Sequence, residues 1–253
     1  MMNITPTVKQ LLIINVIFYI GSQLIGDPAY KMFALYYFES PNFRFWQPLT
    51  HLFMHDKYPN ISHILFNMFG LYSFGSALEQ IWGGKKFLFF YISCGLGAAL
   101  VQSLANFYFF HEALNTTVEA GFLKSDIIST LNEGNFITKW QEILSATDFK
   151  YLTENYIVQS FGASGAIYGL LVAFTFLFPN AELALMFIPI PIKAKYFVPI
   201  YMLLYDGFFG IFGTSFFKVS DGVGHIAHLG GALFGFIMMW FWKKNQFNNN
   251  RLN

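Results

Sequence analysis

Long apolar runs, separated by shorter polar segments, make up most of the chain. Six of these runs approach or exceed the roughly 17 to 25 residues that a helix needs to cross a hydrocarbon core about 30 Å thick. They lie at residues 11–25, 61–78, 87–110, 157–178, 196–217 and 224–242. We interpret the first run as a retained span, because no small-residue cleavage site of a signal peptide follows it. The pattern therefore predicts an all-α, polytopic membrane protein in which residues 1–253 form a single six-helix membrane domain.

Two long segments connect these spans. Residues 27–60 are rich in Phe, Tyr and Trp, which predicts a loop lying in the membrane interface, where aromatic side chains concentrate. Residues 111–156 mix polar and acidic side chains with scattered apolar ones. This second segment is expected to be a long outer loop with short surface helices outside the lipid.

The overall composition supports a lipid environment. Hydrophobic residues make up 55% of the chain and charged residues only 11%, whereas a soluble domain carries about 25% charged residues. The formal net charge is +1, so the chain lacks the broad basic surface that nucleic-acid binding needs, and we expect no nucleic-acid partner. Its single cysteine, Cys94, excludes an intramolecular disulfide and a cysteine-based metal site.

The lysines of the short loops predict the orientation. Lys85 and Lys86 lie between the second and third spans, and Lys193 and Lys195 lie between the fourth and fifth. Basic residues of short loops stay on the cytoplasmic side, so both termini are expected in the cytoplasm. We expect a multi-pass integral protein of a bacterial plasma (inner) membrane.

Polar residues inside three spans are expected to lie at one depth. His63 and Asn67 are four residues apart in the second span. Ser164 and Tyr168 are four residues apart in the fourth, and His228 lies near the start of the sixth. With both termini in the cytoplasm, these three spans all begin at the outer side. Ionisable and strongly polar groups are costly in a membrane and usually mark function.

This set of residues is suited to acyl transfer. An imidazole can take the proton of a serine hydroxyl near neutral pH and so make it a nucleophile, which suggests a Ser164–His228 pair. Candidate oxyanion donors are His63, Asn67 and the backbone N–H of Ser164, each worth roughly 3 to 4 kcal/mol of the barrier. No Asp or Glu lies near His228 on its helix, so a carboxylate partner is not visible, and Tyr168 could hold the ring by stacking. We expect neither a metal nor a cofactor.

Other roles are open for each of these residues taken alone. A serine among glycine and alanine in a membrane helix, such as Ser164, is most often a packing residue. His63 and Asn67 could form a hydrogen bond between helices, and an intramembrane histidine could belong to the proton path of a small transporter. Asp206, in the middle of the fifth span, and His225, at the start of the sixth, have no assigned role.

Four motifs resemble those of the rhomboid family of intramembrane serine proteases. They are WQPLTHLFMH at 46–55, HILFN at 63–67, GASGAIYG at 162–169 and AHLGG at 227–231, in the family's order. The resemblance implies a six-helix rhomboid-like bundle. It also implies these roles: Ser164 as nucleophile, His228 as general base, His63 and Asn67 in the oxyanion hole, and Tyr168 and Gly162 in support.

The function implied by the resemblance is hydrolysis of peptide bonds in transmembrane substrate proteins near the outer membrane face. The implied partners are those substrates and the lipid bilayer. One alternative is a catalytically silent rhomboid-like binding or trafficking protein, although such relatives usually lack the serine or the histidine. A second is a small proton-coupled transporter, which predicts internal repeats and broken helices that the sequence does not display. The insertion at 56–60 and the length of the segment after residue 111 depart from the family's pattern.

Overall fold

Helices make up most of the computed structural model, which describes residues 3–157, 159–185, 188–212 and 224–249. The α-helices are α1 (Pro6–Ile25), α2 (Asp27–Phe33), α3 (Gln47–Thr50), α4 (Ser62–Gly70), α5 (Ser76–Trp82), α6 (Gly84–Glu119), α7 (Lys124–Asn132), α8 (Trp140–Ile143), α9 (Ala146–Ile157), α10 (Ser164–Leu177), α11 (Ala194–Tyr201) and α12 (His225–Asn249). A 3₁₀ turn at His51–Phe53 follows α3, and π-helical segments at Leu71–Gly75 and Met202–Phe212 follow α4 and α11. Strands β1 (Glu182–Leu185) and β2 (Ile188–Lys193) pair antiparallel.

Three of the described helices are long and apolar enough to cross a membrane: Pro6–Ile25, Gly84–Glu119 and His225–Lys244. Their outward faces carry large apolar side chains, such as Leu24 at 82% exposure and Phe89 at 63%. Lipid solvates such a surface, because exposing apolar area to water costs about 25 cal/mol per Å². These observations make the chain a membrane protein.

The second, fourth and fifth predicted spans take other forms. The second is a helical rod in which α4, a π-helical segment and α5 follow one another without a break. The fourth, α10, has 14 residues. The fifth joins α11 to the second π-helical segment, and residues 213–217 of that prediction lie outside the described part of the chain. The number of membrane-crossing helices beyond the first three stays a prediction.

Two local features differ from the sequence prediction. The sequence predicts a fourth span from residue 157, but residues 159–163 are not helical and α10 begins at Ser164. Ser160 pairs instead with Leu35 in a β-bridge, and Gly162 has a φ of +125°, a conformation that interrupts a helix. The β1–β2 hairpin is the second difference. Its sequence IPIPIK at 188–193 alternates proline with isoleucine, and prolines cannot supply the N–H groups that a helix needs.

The centre of the bundle depends on a close approach of α10 and α12. A Cβ built on Gly231 of α12 would lie 1.9 Å from the carbonyl oxygen of Gly165 on α10. Small residues allow backbones to come this close in membrane helices. Gly165 follows Ser164 directly and Gly231 lies one turn after His228, so this contact brings the two polar residues together.

Residues 120–156 fold against the C-terminal end of α6. That helix has 36 residues and continues to Glu119, so at 1.5 Å per residue it is much longer than a hydrocarbon core of about 30 Å. The short helices that the sequence predicts here are present as α7, α8 and α9. Trp140, Phe110 and Tyr156 belong to a buried cluster that joins them to α6. Tyr37, from the loop at 27–60, lies in the same cluster, so the two long segments support each other.

Candidate active site

Ser164 and His228 meet where α10 and α12 begin. Ser164 is the first residue of α10, and His228 lies in the first turn of α12. The Oγ of Ser164 is 2.9 Å from the Nε2 of His228, a hydrogen-bond distance. The hydroxyl can therefore donate to the imidazole, as the activation of a serine nucleophile requires.

Tyr168 stacks on the imidazole of His228. The two ring centroids are 4.1 Å apart and the ring planes differ by 14°. Tyr168 lies one turn after Ser164, so a single helix positions both the hydroxyl and the stacked ring. Tyr168 and His228 are both buried, which restricts how far the imidazole can tilt.

His63 faces the backbone just before Ser164. A Cβ built on Gly162 would lie 2.9 Å from the Nε2 of His63 and 3.7 Å from the Oγ of Ser164. The Nδ1 of His63 lies 3.3 Å from the amide nitrogen of Asp56 and 3.2 Å from its carboxylate Oδ2. A neutral ring whose Nδ1 accepts from the amide carries its proton on Nε2, whereas one whose Nδ1 donates to the carboxylate does not. Only a ring with a proton on Nε2 presents an N–H donor towards the serine loop. The missing side chain of Gly162 leaves the space that this approach needs.

Asn67 lies one turn after His63 on α4. Its Nδ2 donates to the carbonyl oxygen of His63 at 2.7 Å, and the side chain is 5% exposed. The structure thus joins Asn67 to His63, while the contacts described for Asn67 do not reach Ser164. The predicted role of Asn67 in an oxyanion hole depends on a substrate oxygen entering the space between Asn67 and Ser164.

Asp206, which has no assigned role in the sequence analysis, lies beside the site. Its Oδ1 accepts hydrogen bonds from the Nδ1 of His228 at 2.9 Å and the Nδ1 of His225 at 2.8 Å. Asp206 is 0% exposed and His225 is 6% exposed. The helix of His228 holds no nearby carboxylate, and the one that contacts its imidazole comes from a different helical segment. The available signal was a charged residue in the middle of an apolar span.

Three of these side chains could together hold a metal ion. Asp206, His225 and His228 each offer one ligand atom, and these atoms lie within 4.8 Å of one another. Imidazole and carboxylate groups are suitable ligands for several divalent ions. The expectation that the protein uses no metal or cofactor stays a prediction.

The loop motif at 46–55 supports the backbone that precedes Ser164. The Gly162 amide donates to the His51 carbonyl oxygen at 2.9 Å, and the Nδ1 of His51 donates to the Gln47 carbonyl oxygen at 3.1 Å. Burial lowers the pKa of His51 to about 4, so its imidazole is neutral near pH 7. The side chain of Gln47 accepts the Arg44 amide at 3.0 Å. These bonds connect the first motif with the serine motif.

The chain is similar in sequence to known proteins. The sequence model of the Rhomboid domain matches residues 42–117 and 136–245, which is more than half of the chain. The RHOMBOID-like protein 12, mitochondrial, of Arabidopsis thaliana is 28% identical over 176 residues, covering 68% of this chain and 40% of that protein. The rhomboid protease GlpG of Salmonella choleraesuis (strain SC-B67) is 31% identical over 98 residues, covering 38% of this chain and 34% of GlpG.

A third relative is the presenilin-associated rhomboid-like protein, mitochondrial, of Mus musculus. It is 31% identical over 154 residues, covering 56% of this chain and 36% of that protein. The chain thus spans 34 to 40% of the length of these three relatives. The family match includes all four sequence motifs and both helices that meet at Ser164 and His228. This chain is therefore a membrane protein that belongs to the rhomboid family.

Proposed function

We propose that this chain is an intramembrane serine endopeptidase of the rhomboid type. The observation that carries the proposal is the 2.9 Å hydrogen bond between the Oγ of Ser164 and the Nε2 of His228. The helices α10 and α12 bring these groups together at a close backbone contact. A packing serine needs no imidazole at this distance, and a catalytically silent relative needs no Ser–His pair. The proposal therefore accounts for both residues at once.

The proposed reaction begins with Ser164 as nucleophile. The Nε2 of His228 takes the hydroxyl proton while Oγ bonds to the carbonyl carbon of the scissile peptide. The carbon–nitrogen bond then breaks, and the imidazolium of His228 gives its proton to the leaving amine. In the second half, the same imidazole deprotonates a water molecule that attacks the acyl ester. This step releases the new carboxyl end and restores the Ser164 hydroxyl.

The oxyanion of each tetrahedral intermediate needs donors that are already in place. The backbone N–H of Ser164 opens α10, so it has no carbonyl partner within the helix and lies at the positive end of the helix dipole. His63 and Asn67 supply the side-chain donors in this proposal. Each donor of this kind contributes roughly 3 to 4 kcal/mol to catalysis.

The proposed substrates are transmembrane proteins cut near the outer membrane face. Transmembrane substrates are what the rhomboid resemblance implies. In the proposed topology, a single membrane domain with six spans and both termini in the cytoplasm, α4, α10 and α12 begin on the outer side. The lysines of the short loops support that orientation. We assign the protein to a bacterial plasma (inner) membrane, and a mitochondrial membrane is the competing assignment given the names of two relatives.

The first test is covalent labelling of the detergent-purified protein with a fluorophosphonate or isocoumarin probe. We expect the wild-type protein to be labelled and both Ser164→Ala and His228→Ala to lose the label. Ser125→Ala is a matched control, because it removes an exposed serine from α7. Absence of wild-type labelling, or equal labelling of Ser164→Ala, would contradict the protease proposal and favour a silent binding protein.

The second test uses a transmembrane substrate in liposomes. A tagged single-span protein should be cut once near its outer end by the wild-type protein and left intact by Ser164→Ala, with the cut located by mass spectrometry. Reporter fusions after residue 130 and at the C-terminus test the orientation separately. A cytoplasmic signal from the first fusion would contradict the proposed topology.

A further inference from the structure

A buried carboxylate lies behind the proposed catalytic pair. The Oδ1 of Asp206 accepts from the Nδ1 of His228 at 2.9 Å and from the Nδ1 of His225 at 2.8 Å. Asp206 is 0% exposed. A charge buried this deeply is very costly unless it is paired and hydrogen-bonded. Two imidazoles donate hydrogen bonds to its Oδ1 here, and His228 becomes a positively charged partner when its Nε2 takes the serine proton.

We propose that Asp206 is a positioning residue for His228 and that His225 holds the Asp206 carboxylate in place. The site then consists of three side chains, Ser164, His228 and Asp206, instead of a pair. This inference rests on the proposed protease function and adds the group that orients its general base.

The hydrogen bond to Asp206 fixes the tautomer of His228. An ionised carboxylate only accepts hydrogen bonds, so the nitrogen that faces Asp206 must carry the proton. The neutral ring then has its lone pair on Nε2, which is the atom 2.9 Å from the Oγ of Ser164. When Nε2 takes the hydroxyl proton, the new imidazolium lies beside the carboxylate that stabilises it. The proton stays on the ring, and Asp206 stays ionised throughout.

Stacking on Tyr168 cannot select between the two orientations of the His228 ring that share one plane. Tyr168 fixes the plane of the His228 ring, with ring planes 14° apart. A ring rotated by half a turn about its Cβ–Cγ bond would lie in the same plane and stack equally well. It would, however, turn a carbon–hydrogen edge towards Ser164. The hydrogen bond to Asp206 distinguishes the two orientations.

His225 fits into a space that a glycine leaves on the neighbouring helical segment. A Cβ built on Gly210 would lie 2.3 Å from the Cγ of His225, so the absent side chain of Gly210 makes room for this imidazole. Gly210 and Asp206 are four residues apart in the π-helical segment, and both contact α12 through histidines. π-helical segments are rare and occur frequently at functional sites.

The test compares variants of these two residues in the liposome cleavage assay. In Asp206→Asn the amide can present its NH₂ group to Nδ1, which favours the tautomer that cannot accept the serine proton. We expect kcat to fall between about 10²- and 10⁴-fold with KM little changed. His225→Gln keeps a donor for the carboxylate and should stay within about tenfold of wild type, whereas His225→Leu should lose more. Glu182→Gln, an exposed acid on β1, is the matched control.

The outcomes separate this inference from the protease proposal. Loss of activity in Ser164→Ala together with a wild-type rate in Asp206→Asn would overturn the role of Asp206 and leave the protease proposal intact. Activity that requires a divalent ion and disappears with a chelator would make Asp206, His225 and His228 a metal site and would also overturn the proposed role of Asp206.

A spectroscopic measurement covers the case in which Asp206→Asn does not fold. Nitrogen-15 histidine spectra of the wild-type protein, assigned with His228→Gln, report which ring nitrogen is protonated. We expect the Nδ1-protonated form with a strongly downfield N–H proton. A neutral His228 protonated on Nε2 would overturn the inference.

Discussion

Gly231→Ala tests whether the contact between α10 and α12 sets the catalytic geometry. The new Cβ would lie 1.9 Å from the Gly165 carbonyl oxygen and 2.6 Å from its carbonyl carbon. Both obstacles are backbone atoms, so no side chain can rotate away. Ordinary contact begins at 3.4 Å, and the helices must separate by about 1.5 Å to reach it.

That separation acts directly on the proposed pair. Gly165 is the neighbour of Ser164, and Gly231 is one turn from His228, so most of the shift is transmitted to their hydrogen bond. The 2.9 Å distance between Oγ and Nε2 would then exceed the hydrogen-bond range. A misplacement of about 1 Å can cost about 10²-fold in rate. We therefore expect at least that loss, with a stability decrease of about 1 to 3 kcal/mol for overpacking.

The assay is the rate of probe labelling, measured beside a thermal melt in the same detergent. Gly21→Ala is the matched control, because it adds a methyl group to a helical glycine that has nothing within 4 Å. Both variants should remain folded, and the control should label at the wild-type rate. If Gly231→Ala labelled as fast as the wild-type protein, the close contact would not determine the position of the site.

Three further changes test other parts of the site. Gly162→Ala forces a side chain into a φ of +125° and to 2.9 Å from an imidazole nitrogen, so it should lower both the activity and the melting temperature. Gly134→Ala is strained at φ +74° but lies in open space, so it should lower only the stability, by about 1 to 3 kcal/mol. Equal activity of the two variants would contradict this expectation. Asn67→Ala should lower kcat by about 10²-fold or more with a nearly unchanged melting temperature, and full activity would remove Asn67 from the oxyanion hole. Burial lowers the pKa of His51 to about 4 from about 6.5 in the unfolded chain; the unfolded state therefore binds the extra proton, and this contribution to stability is complete above pH 6.5 and falls by roughly 1.4 kcal/mol per pH unit between 6.5 and 4. In urea unfolding across that range, the free energy of unfolding should change less steeply with pH in His51→Gln than in the wild-type protein, by roughly 1.4 kcal/mol per pH unit. The contribution of His55, whose pKa burial lowers to about 3, should be retained. An unchanged pH dependence would contradict the assignment to His51.

Much of the arrangement within each helix of the site can be predicted from the sequence, because the spacing of residues along a helix is local. Ser164 and Tyr168 are four residues apart, so any helix that contains them puts them on one face. The same holds for His63 and Asn67, and both pairs lie on helices in the structure. The structure adds that the Tyr168 ring stacks on His228. Whether these residues perform catalysis stays a prediction.

The boundaries near Ser164 required the structure. The apolar pattern continues from residue 157 into the fourth span, and it predicts one helix across that stretch. The helix is instead interrupted before Ser164: φ is +125° at Gly162, and Ser160 pairs with Leu35 from a distant loop. Hydrophobic periodicity does not register a single backbone dihedral or a bridge between remote segments, so it placed the helix start seven residues too early.

The sequence by itself determined that lipid surrounds this chain and that a few polar residues lie within its apolar spans. It also supplied the family motifs and the spacing that pairs Ser164 with Tyr168. Only the tertiary structure decided that Asp206 and His225 join His228, since Asp206 is 22 residues away on another helical segment. Spacing along one helix is a property of the backbone repeat. The contact between helices depends on how closely their backbones approach, and here two glycines allow it.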